Sequence, residues 1–426
     1  MLSTEMNDLL TRVGRGTPMG DAMRRYWMPA LLSWELEADG APVRLKLLGE
    51  SLVAFRDTSG SVGIMAEQCP HRGASLWLGR NEEDGLRCVY HGWKFDVTGQ
   101  CVDMMNEPEK FNFKDKMKAV AYPTEEFGGI IWTYMGPADK RPASPKFEWT
   151  QVAEGHRYVT KVWQECNWLQ ALEGGIDTSH APILHRALKA NPVHPGIGLD
   201  TPFVRGSAPT LEVENTDYGY RYFGIRTMGE KGHYVRGYHF VMPFTQLRPV
   251  GGGKPRVDGH FWVPMDDENV MVYNWGYSYG EAGLSHEESE GRTGGNNFGD
   301  DVDIDNGFKA VRNKGNDWLI ERDVQKTDTF TGIKGINTQD RATQESMGKV
   351  MDRTKEHLGT ADRAVIATRK LLEQAIRVTQ DGGDPVGVAP SYYHLRAADD
   401  VIPTDRDWRE EIMAVMYPSE PAATAG

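Results

Sequence analysis

The chain has 426 residues, 39% of them apolar and 26% charged, and its 48 basic and 61 acidic side chains leave a formal net charge of −13. At about 150 residues per domain, this length allows two or three domains with cores of their own. The acidic balance argues against a nucleic-acid or anionic-membrane binder, and no apolar run approaches the roughly 18 residues of a bilayer span. The chain start lacks the features of a signal peptide and four cysteines do not make a disulfide scaffold, so we expect a reducing, cytoplasmic location.

The predicted elements change in texture along the chain. Residues 4 to 28 have helical spacing, and short β segments with turns follow from 41 to about 136. A linker-like stretch at 137 to 146 precedes a helix predicted from about 164 to 189. Strand-like runs then resume between 219 and 277, and the most amphipathic helix lies within 343 to 381. This pattern predicts a β-rich unit, residues 41–140, inserted in an α+β unit formed by 1–40 and 141–426.

Two cysteines and two histidines stand out in the β-rich region. They occur as Cys69-Pro70-His71 and, sixteen residues later, as Cys88-Val89-Tyr90-His91. Such a set could hold zinc, but zinc fingers tend to pair Cys with Cys and His with His. Here each segment supplies one of each, which suits a [2Fe–2S] cluster with two Cys on one iron and two His on the other. The spacing therefore favours an electron-transfer cluster over a structural zinc ion.

A carboxylate and two further histidines lie about eighty residues downstream, at Asp177, His180 and His185. On a helix, Asp177 and His180 would be neighbours, whereas His180 and His185 would point about 140° apart. Pro182 lies between them and could bend the helix, bringing the two imidazoles together. Two His and one carboxylate on one face of an iron ion are typical of non-haem Fe(II) oxygenases.

The carboxylate ligand of such an iron has to come from elsewhere in the chain. The candidates in the C-terminal part are Asp317, Asp323, Asp328, Asp340 and Asp352.

These two motifs, with their flanking residues, resemble those of the Rieske non-haem iron oxygenases. The resemblance is carried by Cys69-Pro70-His71-Arg72-Gly73-Ala74, by Cys88-Val89-Tyr90-His91-Gly92-Trp93-Lys94-Phe95-Asp96 and by the segment from Asn167 to His185. It implies an all-β Rieske domain inserted in an α+β catalytic domain with a large antiparallel sheet and flanking helices. It further implies a [2Fe–2S] cluster on Cys69, His71, Cys88 and His91, and a mononuclear non-haem Fe(II) on His180 and His185.

The same resemblance suggests roles for two aspartates. The family's third iron ligand usually begins an Asp-x-x-x-x-Glu stretch, a form that Asp340 to Glu345 fits, so we expect Asp340 to be that ligand. In the family, an aspartate three residues before the first iron histidine links it to a cluster histidine across a subunit boundary. Asp177 occupies this position and is expected to be the electron-transfer bridge. A ferredoxin-like carrier or a zinc-stabilised binding protein would need only the first motif, whereas a terminal oxygenase needs both.

Further stretches resemble the phthalate dioxygenase-like subgroup, among them residues 11 to 20, 79 to 83 and 344 to 348. This resemblance implies a homotrimer or a hexamer of stacked trimers. It also implies electrons from NAD(P)H through a separate flavin/[2Fe–2S] reductase, O₂ as co-substrate, and hydroxylation of an aromatic carboxylate during aromatic catabolism. O-demethylating monooxygenases of methoxylated aromatic acids share these motifs and remain the alternative. Arginine binds a carboxylate through two parallel hydrogen bonds, and we name Arg205 and Arg236 as candidates for that contact.

Overall fold

A computed structural model describes residues 1–189, 196–198, 200–205, 208–289, 298–388 and 394–419. The chain divides into a smaller unit, Val13–Ser144, and a larger unit formed by Met1–Arg12 and Pro145–Gly426. The helices of the described residues are α1 (Thr4–Thr11), α2 (Pro18–Met23), α3 (Glu148–Gln151), α4 (Trp168–Ile176), α5 (Ala181–Leu184), α6 (Pro202–Arg205), α7 (His286–Ser289), α8 (Arg322–Thr327), α9 (Ile336–Ser346), α10 (Arg363–Gln380) and α11 (Trp408–Met416).

The strands of the described residues, in chain order, are β1 (Trp27–Leu32), β2 (Val43–Leu47), β3 (Glu50–Arg56), β4 (Val62–Ala66), β5 (Arg80–Asn81), β6 (Leu86–Arg87), β7 (Trp93–Phe95), β8 (Cys101–Met104), β9 (Ala121–Tyr122), β10 (Thr124–Phe127), β11 (Ile130–Tyr134), β12 (Arg157–Gln164), β13 (Thr210–Asn215), β14 (Gly219–Thr227), β15 (His233–Val241), β16 (Thr245–Pro249), β17 (Arg256–Pro264), β18 (Val270–Ser278), β19 (Val302–Asp303), β20 (Lys309–Ala310) and β21 (Ala398–Ile402).

The smaller unit consists of antiparallel sheets in the orders β1-β11-β10, β2-β3-β4-β9 and β5-β6-β7-β8. Residues 13–40, which the sequence assigned to the catalytic part, belong to this unit. The physical reason is that β1 pairs with β11 from Trp27 opposite Tyr134 to Leu32 opposite Ile130, so the two strands form one sheet. As a division into independently folding domains, the boundaries at 40 and 140 stay a prediction.

The larger unit is organised around one extended sheet in the order β13-β14-β15-β16-β17-β18-β12-β20-β19, with β21 pairing to β15. All these pairs are antiparallel except β12 with β20. The strand-like runs predicted between 219 and 277 correspond closely to β14, β15, β17 and β18. Because side chains alternate along each strand, one face of this sheet is available to form a cavity wall.

Helix α4 packs against this sheet through a pair of glycines. A Cβ added to Gly175 would lie 1.9 Å from the Trp262 ring of β17, and one added to Gly174 would lie 2.2 Å from the Gln344 side chain of α9. The absence of both side chains is what lets α4 approach the sheet and α9 so closely. Helix α10 is the amphipathic helix predicted within 343 to 381, and it buries Val365, Leu372 and Ile376, among others.

Cys101 and Cys166, which lie outside both motifs, are buried free thiols. Burial raises the pKa of Cys166 to about 12, so this thiol stays protonated and acts as a packing residue. No helix among the described residues is both long enough and apolar enough to cross a bilayer.

Candidate metal centres and substrate cavity

The segment that carries the second motif is not one continuous helix. Helix α4 ends at Ile176, and Asp177 has the extended backbone angles φ −63° and ψ 122°. The Asp177 carboxylate accepts hydrogen bonds from the backbone N–H and the hydroxyl of Ser179, both at 2.7 Å, so the side chain replaces the helix with a local turn. The helix predicted from 164 to 189 therefore breaks at Asp177. Pro182 lies in the first turn of α5, where its missing N–H leaves no hydrogen bond unmade.

Beyond this break, His180 and His185 flank the short helix α5 and lie together with Asp340 of α9. The Nε2 atoms of both imidazoles lie 3.2 Å from Asp340 Oδ1, and one ligand atom from each residue lies within 4.8 Å of the other two. Among the described residues this is the only such group of three His, Cys, Asp or Glu. Of the aspartates that the sequence left open, the fold thus brings Asp340 to the two histidines.

The outward-facing nitrogens of both imidazoles have hydrogen-bond partners. His180 Nδ1 lies 3.1 Å from Asp177 Oδ2, and His185 Nδ1 lies 2.7 Å from Gln339 Oε1. The Gln339 amide donates its own N–H to the carbonyl of Ile333, so its oxygen faces His185. Each Nδ1 therefore carries a proton, which leaves Nε2, the nitrogen that faces Asp340, to bind a metal ion. Gln339 was missed in the sequence because only charged and metal-binding residue types were considered; its position directly before Asp340 was the one available signal.

The electrostatics of this triad favour a bound cation. Burial opposes charging His180, but hydrogen bonds to Asp177 and Asp340 outweigh it and raise its pKa to about 10. Burial also opposes ionisation of Asp340, yet the imidazoles of His185 and His180 hold its pKa far below the usual range. The field that favours a proton on His180 equally favours a metal ion in its place. Two neutral imidazoles and one carboxylate fit a non-haem Fe(II) ion with open coordination positions.

A cavity of about 430 Å³ opens beside the triad and is walled by the large sheet. Arg236 lies on this wall, but three of its N–H groups donate to the Tyr238 hydroxyl, the Tyr234 hydroxyl and the Pro249 carbonyl. Arg248, on the same wall, is half-buried and forms no ion pair or hydrogen bond with the described residues. The side chain of Arg205, the other arginine candidate, lies outside the described residues.

In the smaller unit, the first motif forms two similar turns. Gly73 N–H donates to the Cys69 carbonyl at 2.8 Å, and Gly92 N–H donates to the Cys88 carbonyl at 2.9 Å. Both glycines have positive φ, 74° and 76°, a conformation that a residue with a Cβ rarely adopts. The turns bury both cysteines and place the His71 and His91 rings 4.4 Å apart between centroids.

The donor set of these turns fits a cluster better than a single ion. A tetrahedral zinc ion would hold its ligand atoms about 3.8 Å apart. Among the described residues Cys69, His71, Cys88 and His91, however, no three have ligand atoms that all lie within 4.8 Å of one another. His71 Nδ1 is buried without a hydrogen-bond partner, as expected of a nitrogen that binds metal. The ring of Trp93 stacks on His71 at a centroid distance of 4.4 Å, with 6° between the planes, which holds the imidazole in place. Burial raises the pKa of Cys69 to about 11, so metal binding has to displace its proton.

Comparison with known proteins agrees with both centres. The Rieske [2Fe-2S] domain family matches residues 26–119, and the family described as LigXa C-terminal domain like matches residues 133–423. The chain is 41% identical to the 3-chlorobenzoate-3,4-dioxygenase oxygenase subunit of Comamonas testosteroni over 96% of this chain and 97% of that one. It is 39% identical to the phthalate 4,5-dioxygenase oxygenase subunit of Pseudomonas putida over 96% and 94% of the two chains. The crystal structure of dicamba monooxygenase bound to dicamba shares the fold, with a TM-score of 0.59 at 16% identity over 84% of this chain and 98% of that one.

Proteins of this family use a Rieske [2Fe–2S] cluster, a mononuclear iron and O₂, and they depend on a separate reductase for electrons. The predicted fold class is confirmed, because the all-β Rieske domain accompanies a larger α+β domain with a large, mainly antiparallel sheet. The chain belongs to the Rieske non-haem iron oxygenases, as the terminal oxygenase subunit of a multicomponent oxidoreductase.

Proposed function

We propose that this oxygenase hydroxylates an aromatic carboxylate of the phthalate or benzoate class during the catabolism of aromatic compounds in the cytoplasm. The observation that carries the proposal is Arg248, a half-buried and unpaired cation on the wall of the cavity that also contains His180, His185 and Asp340. A guanidinium with no ion-pair partner on a cavity wall can bind a carboxylate through two parallel hydrogen bonds. The names of the two relatives, a chlorobenzoate and a phthalate dioxygenase, support the same substrate class.

In this proposal Cys69, His71, Cys88 and His91 hold the cluster, and His180, His185 and Asp340 hold the mononuclear iron. When bound, the cluster supplies single electrons and the iron supplies O₂ activation. This chain's own residues orient these groups: Asp177 and Gln339 keep the Nδ1 protons of the two imidazoles in place, and the cavity positions the substrate.

We further assign to Asp177 the role of a bridge between subunits. Its Oδ2 accepts from His180 within this chain, and a second N–H donor, from a cluster histidine of a neighbouring subunit, would complete the carboxylate's hydrogen bonding. This role requires an assembly, so we propose a homotrimer or a hexamer of stacked trimers. Its electron donor would be a reductase that carries a flavin and a [2Fe–2S] cluster and oxidises NAD(P)H.

Within the cavity, Arg248 is our candidate for the direct carboxylate contact. Arg236 is held by Tyr234, Tyr238 and the Pro249 carbonyl, so it adds positive charge and stacks on the Phe203 ring at 4.7 Å. This places Arg248 ahead of Arg236, one of the two arginines named from the sequence, for this contact.

The charge of the substrate provides the test. Arg248→Met should raise the Kd of benzoate or phthalate by about tenfold or more, because a charge-assisted hydrogen bond in a buried site is lost. The methyl esters should bind wild type weakly and should be insensitive to Arg248→Met. Arg377→Met is a matched control, since Arg377 is exposed and lies on α10 outside the cavity. Equal affinity for acid and ester in wild type would contradict a carboxylate substrate.

The reaction outcome is decided by isotope labelling with ¹⁸O₂ and the reductase. Two labelled oxygens on the ring identify dihydroxylation. An unlabelled phenol released together with formaldehyde from a methoxylated aromatic acid identifies the O-demethylating alternative, because the oxygen from O₂ is placed on the methyl carbon and leaves with it.

A further inference from the structure

A row of neutral polar side chains crosses four neighbouring strands of the large sheet. Gln246 of β16 lies opposite His260 of β17, His260 lies opposite Asn274 of β18, and Asn274 lies opposite Thr160 of β12. All four side chains are buried, and all four line the cavity that contains the His180, His185 and Asp340 triad. The register therefore places a continuous polar strip on the cavity wall.

Three members of this strip carry a buried atom without a hydrogen-bond partner among the described residues. They are Gln246 Oε1, His260 Nδ1 and Thr160 Oγ1. The Gln246 amide nitrogen is already used, because it donates to the Tyr222 hydroxyl. Because a native fold rarely leaves buried polar atoms unmatched, three on one cavity wall point to a ligand.

The chemistry of these three atoms defines that ligand. Burial, together with the nearby Arg248 guanidinium, lowers the pKa of His260 well below its usual range, so its ring is neutral. Gln246 Oε1 is an acceptor, the neutral His260 Nδ1 accepts or donates according to the ring's tautomer, and the Thr160 hydroxyl can donate or accept. An amide acceptor beside two groups that can also accept is complementary to an O–H or N–H donor, and the three atoms offer nothing specific to a chloro or methyl group.

We propose that Gln246, His260 and Thr160 form a specificity site for a hydrogen-bond-donating ring substituent, a phenolic hydroxyl or an arylamine, on the aromatic acid. This inference rests on the proposed function for the carboxylate. Arg248 lies two residues after Gln246 on β16 and on the same face, roughly 7 Å along the strand. A single benzene ring can therefore present its carboxylate to Arg248 and its hydroxyl to the polar strip.

The first experiment needs no variant. Calorimetric titration of the holoenzyme compares 3- and 4-hydroxybenzoate with benzoate and with the corresponding methoxybenzoates. A hydroxybenzoate should bind about tenfold more tightly than benzoate and than its own methyl ether, which has no donor. A second pair, phenol and anisole, tests the polar strip without a carboxylate.

Variants then locate the effect. Thr160→Val should remove most of the gain from the hydroxyl and leave benzoate within about twofold of wild type, and Thr160→Ser should restore it. Thr245→Val is the matched control, because Thr245 is buried on the same strand as Gln246 but alternation puts its side chain on the opposite face of the sheet.

The outcomes separate this site from the proposed function. If benzoates fail to bind but phenol binds better than anisole and loses this preference in Thr160→Val, the carboxylate proposal fails and the polar strip stands. If benzoates bind and the hydroxyl adds nothing in any pair, the strip holds only water and the inference is overturned. An equal loss for benzoate and hydroxybenzoate in Thr160→Val would overturn it as well.

Discussion

Two histidines at the triad point their Nε2 atoms at one carboxylate because their other nitrogens are held from behind. Asp177 holds His180, and Gln339 holds His185. The two partners differ in charge, since His180 faces a carboxylate and His185 a neutral amide. The charged partner is Asp177, and a carboxylate can accept an N–H from the second imidazole that we expect it to contact.

Asp340→Ala tests the third iron ligand. Removing this carboxylate deletes the anion that both Nε2 atoms face, so we expect the chelatable iron to be lost while the visible spectrum of the cluster is retained. Iron analysis before and after chelation measures this. Asp323→Ala is the control, since this exposed acid of α8 was another sequence candidate and should keep the wild-type iron content. Full mononuclear iron content in Asp340→Ala would show that another acid is the third ligand.

Asp177→Asn tests the bridge. Hydrogen bonds from His180 and Ser179 outweigh burial and keep the pKa of Asp177 below its usual range, so the wild-type side chain is an anion that accepts N–H donors. The amide keeps the shape but loses the charge, and we expect turnover to fall about 10- to 100-fold with both metal centres retained. The cluster should still be reduced by its donor, while single-turnover product from pre-reduced enzyme should collapse. Turnover near the wild-type rate, with tight coupling of electrons to product, would show that Asp177 only shapes the local turn.

At the scale of elements, helix α4 carries the start of the iron-binding segment and is anchored by a buried ion network. Glu173 of α4 accepts from Arg353 at 2.8 Å and from Arg369 of α10 at 2.6 Å, and Arg369 also pairs with Glu356. These side chains are at most 10% exposed. The ion network and the close packing at Gly174 and Gly175 hold the C-terminal end of α4 in place. They thereby position the following segment, which carries His180, next to α9.

Glu173→Gln tests this anchor. It leaves two buried guanidinium groups without their shared anion, so we expect the free energy of unfolding to fall by about 3 kcal/mol. Glu373→Gln, which breaks a largely exposed pair with Arg377 on α10, should cost at most about 0.5 kcal/mol. Urea unfolding at neutral pH compares the two variants. Equal, small losses would mean that packing alone holds α4.

The contribution of Glu173 to stability should depend on pH. Burial opposes ionisation of this carboxyl, but Arg353 and Arg369 hold its pKa below the usual range, so the folded state favours the ionised form. The stabilisation is complete above the unfolded pKa of about 4.3 and is lost as the pH falls through the folded value. The difference between wild type and Glu173→Gln should therefore shrink at acidic pH.

At the scale of the whole molecule, each of the two units contains the residues proposed for one metal centre, and oxygenases of this family use both centres with O₂. Purified holoprotein should contain about three irons per chain, two accompanied by acid-labile sulfide and one removable by chelation. Iron, zinc and sulfide analysis of anaerobically prepared protein measures this, with light scattering to count the chains per particle. Stoichiometric zinc without labile sulfide would contradict the assignment of a [2Fe–2S] cluster. A stable monomer with full turnover would contradict the proposed bridge between subunits.

The site residues that could be predicted from the sequence are those that lie close to one another along the chain. The cluster turns at 69–73 and 88–92 are local, and glycines with positive φ specify them, so the four ligands could be named from the motif and its resemblance. Asp177, His180 and His185 lie within nine residues, and their assignment came from that short segment. The single helix predicted around them was wrong, because a turn at Asp177 ends α4 and Pro182 lies in the first turn of the separate helix α5.

The rest was decided by tertiary structure. Asp340 and Gln339 reach the histidines because α9 packs on α4; spacing alone left several aspartates open, and only the resemblance favoured Asp340. Arg248 and the polar strip of Thr160, Gln246, His260 and Asn274 share one cavity wall because of strand register, since a shift of one residue would turn every one of these side chains to the other face. Local patterns determine turns and periodicity, whereas the packing of helices and the pairing of distant strands decide which side chains meet.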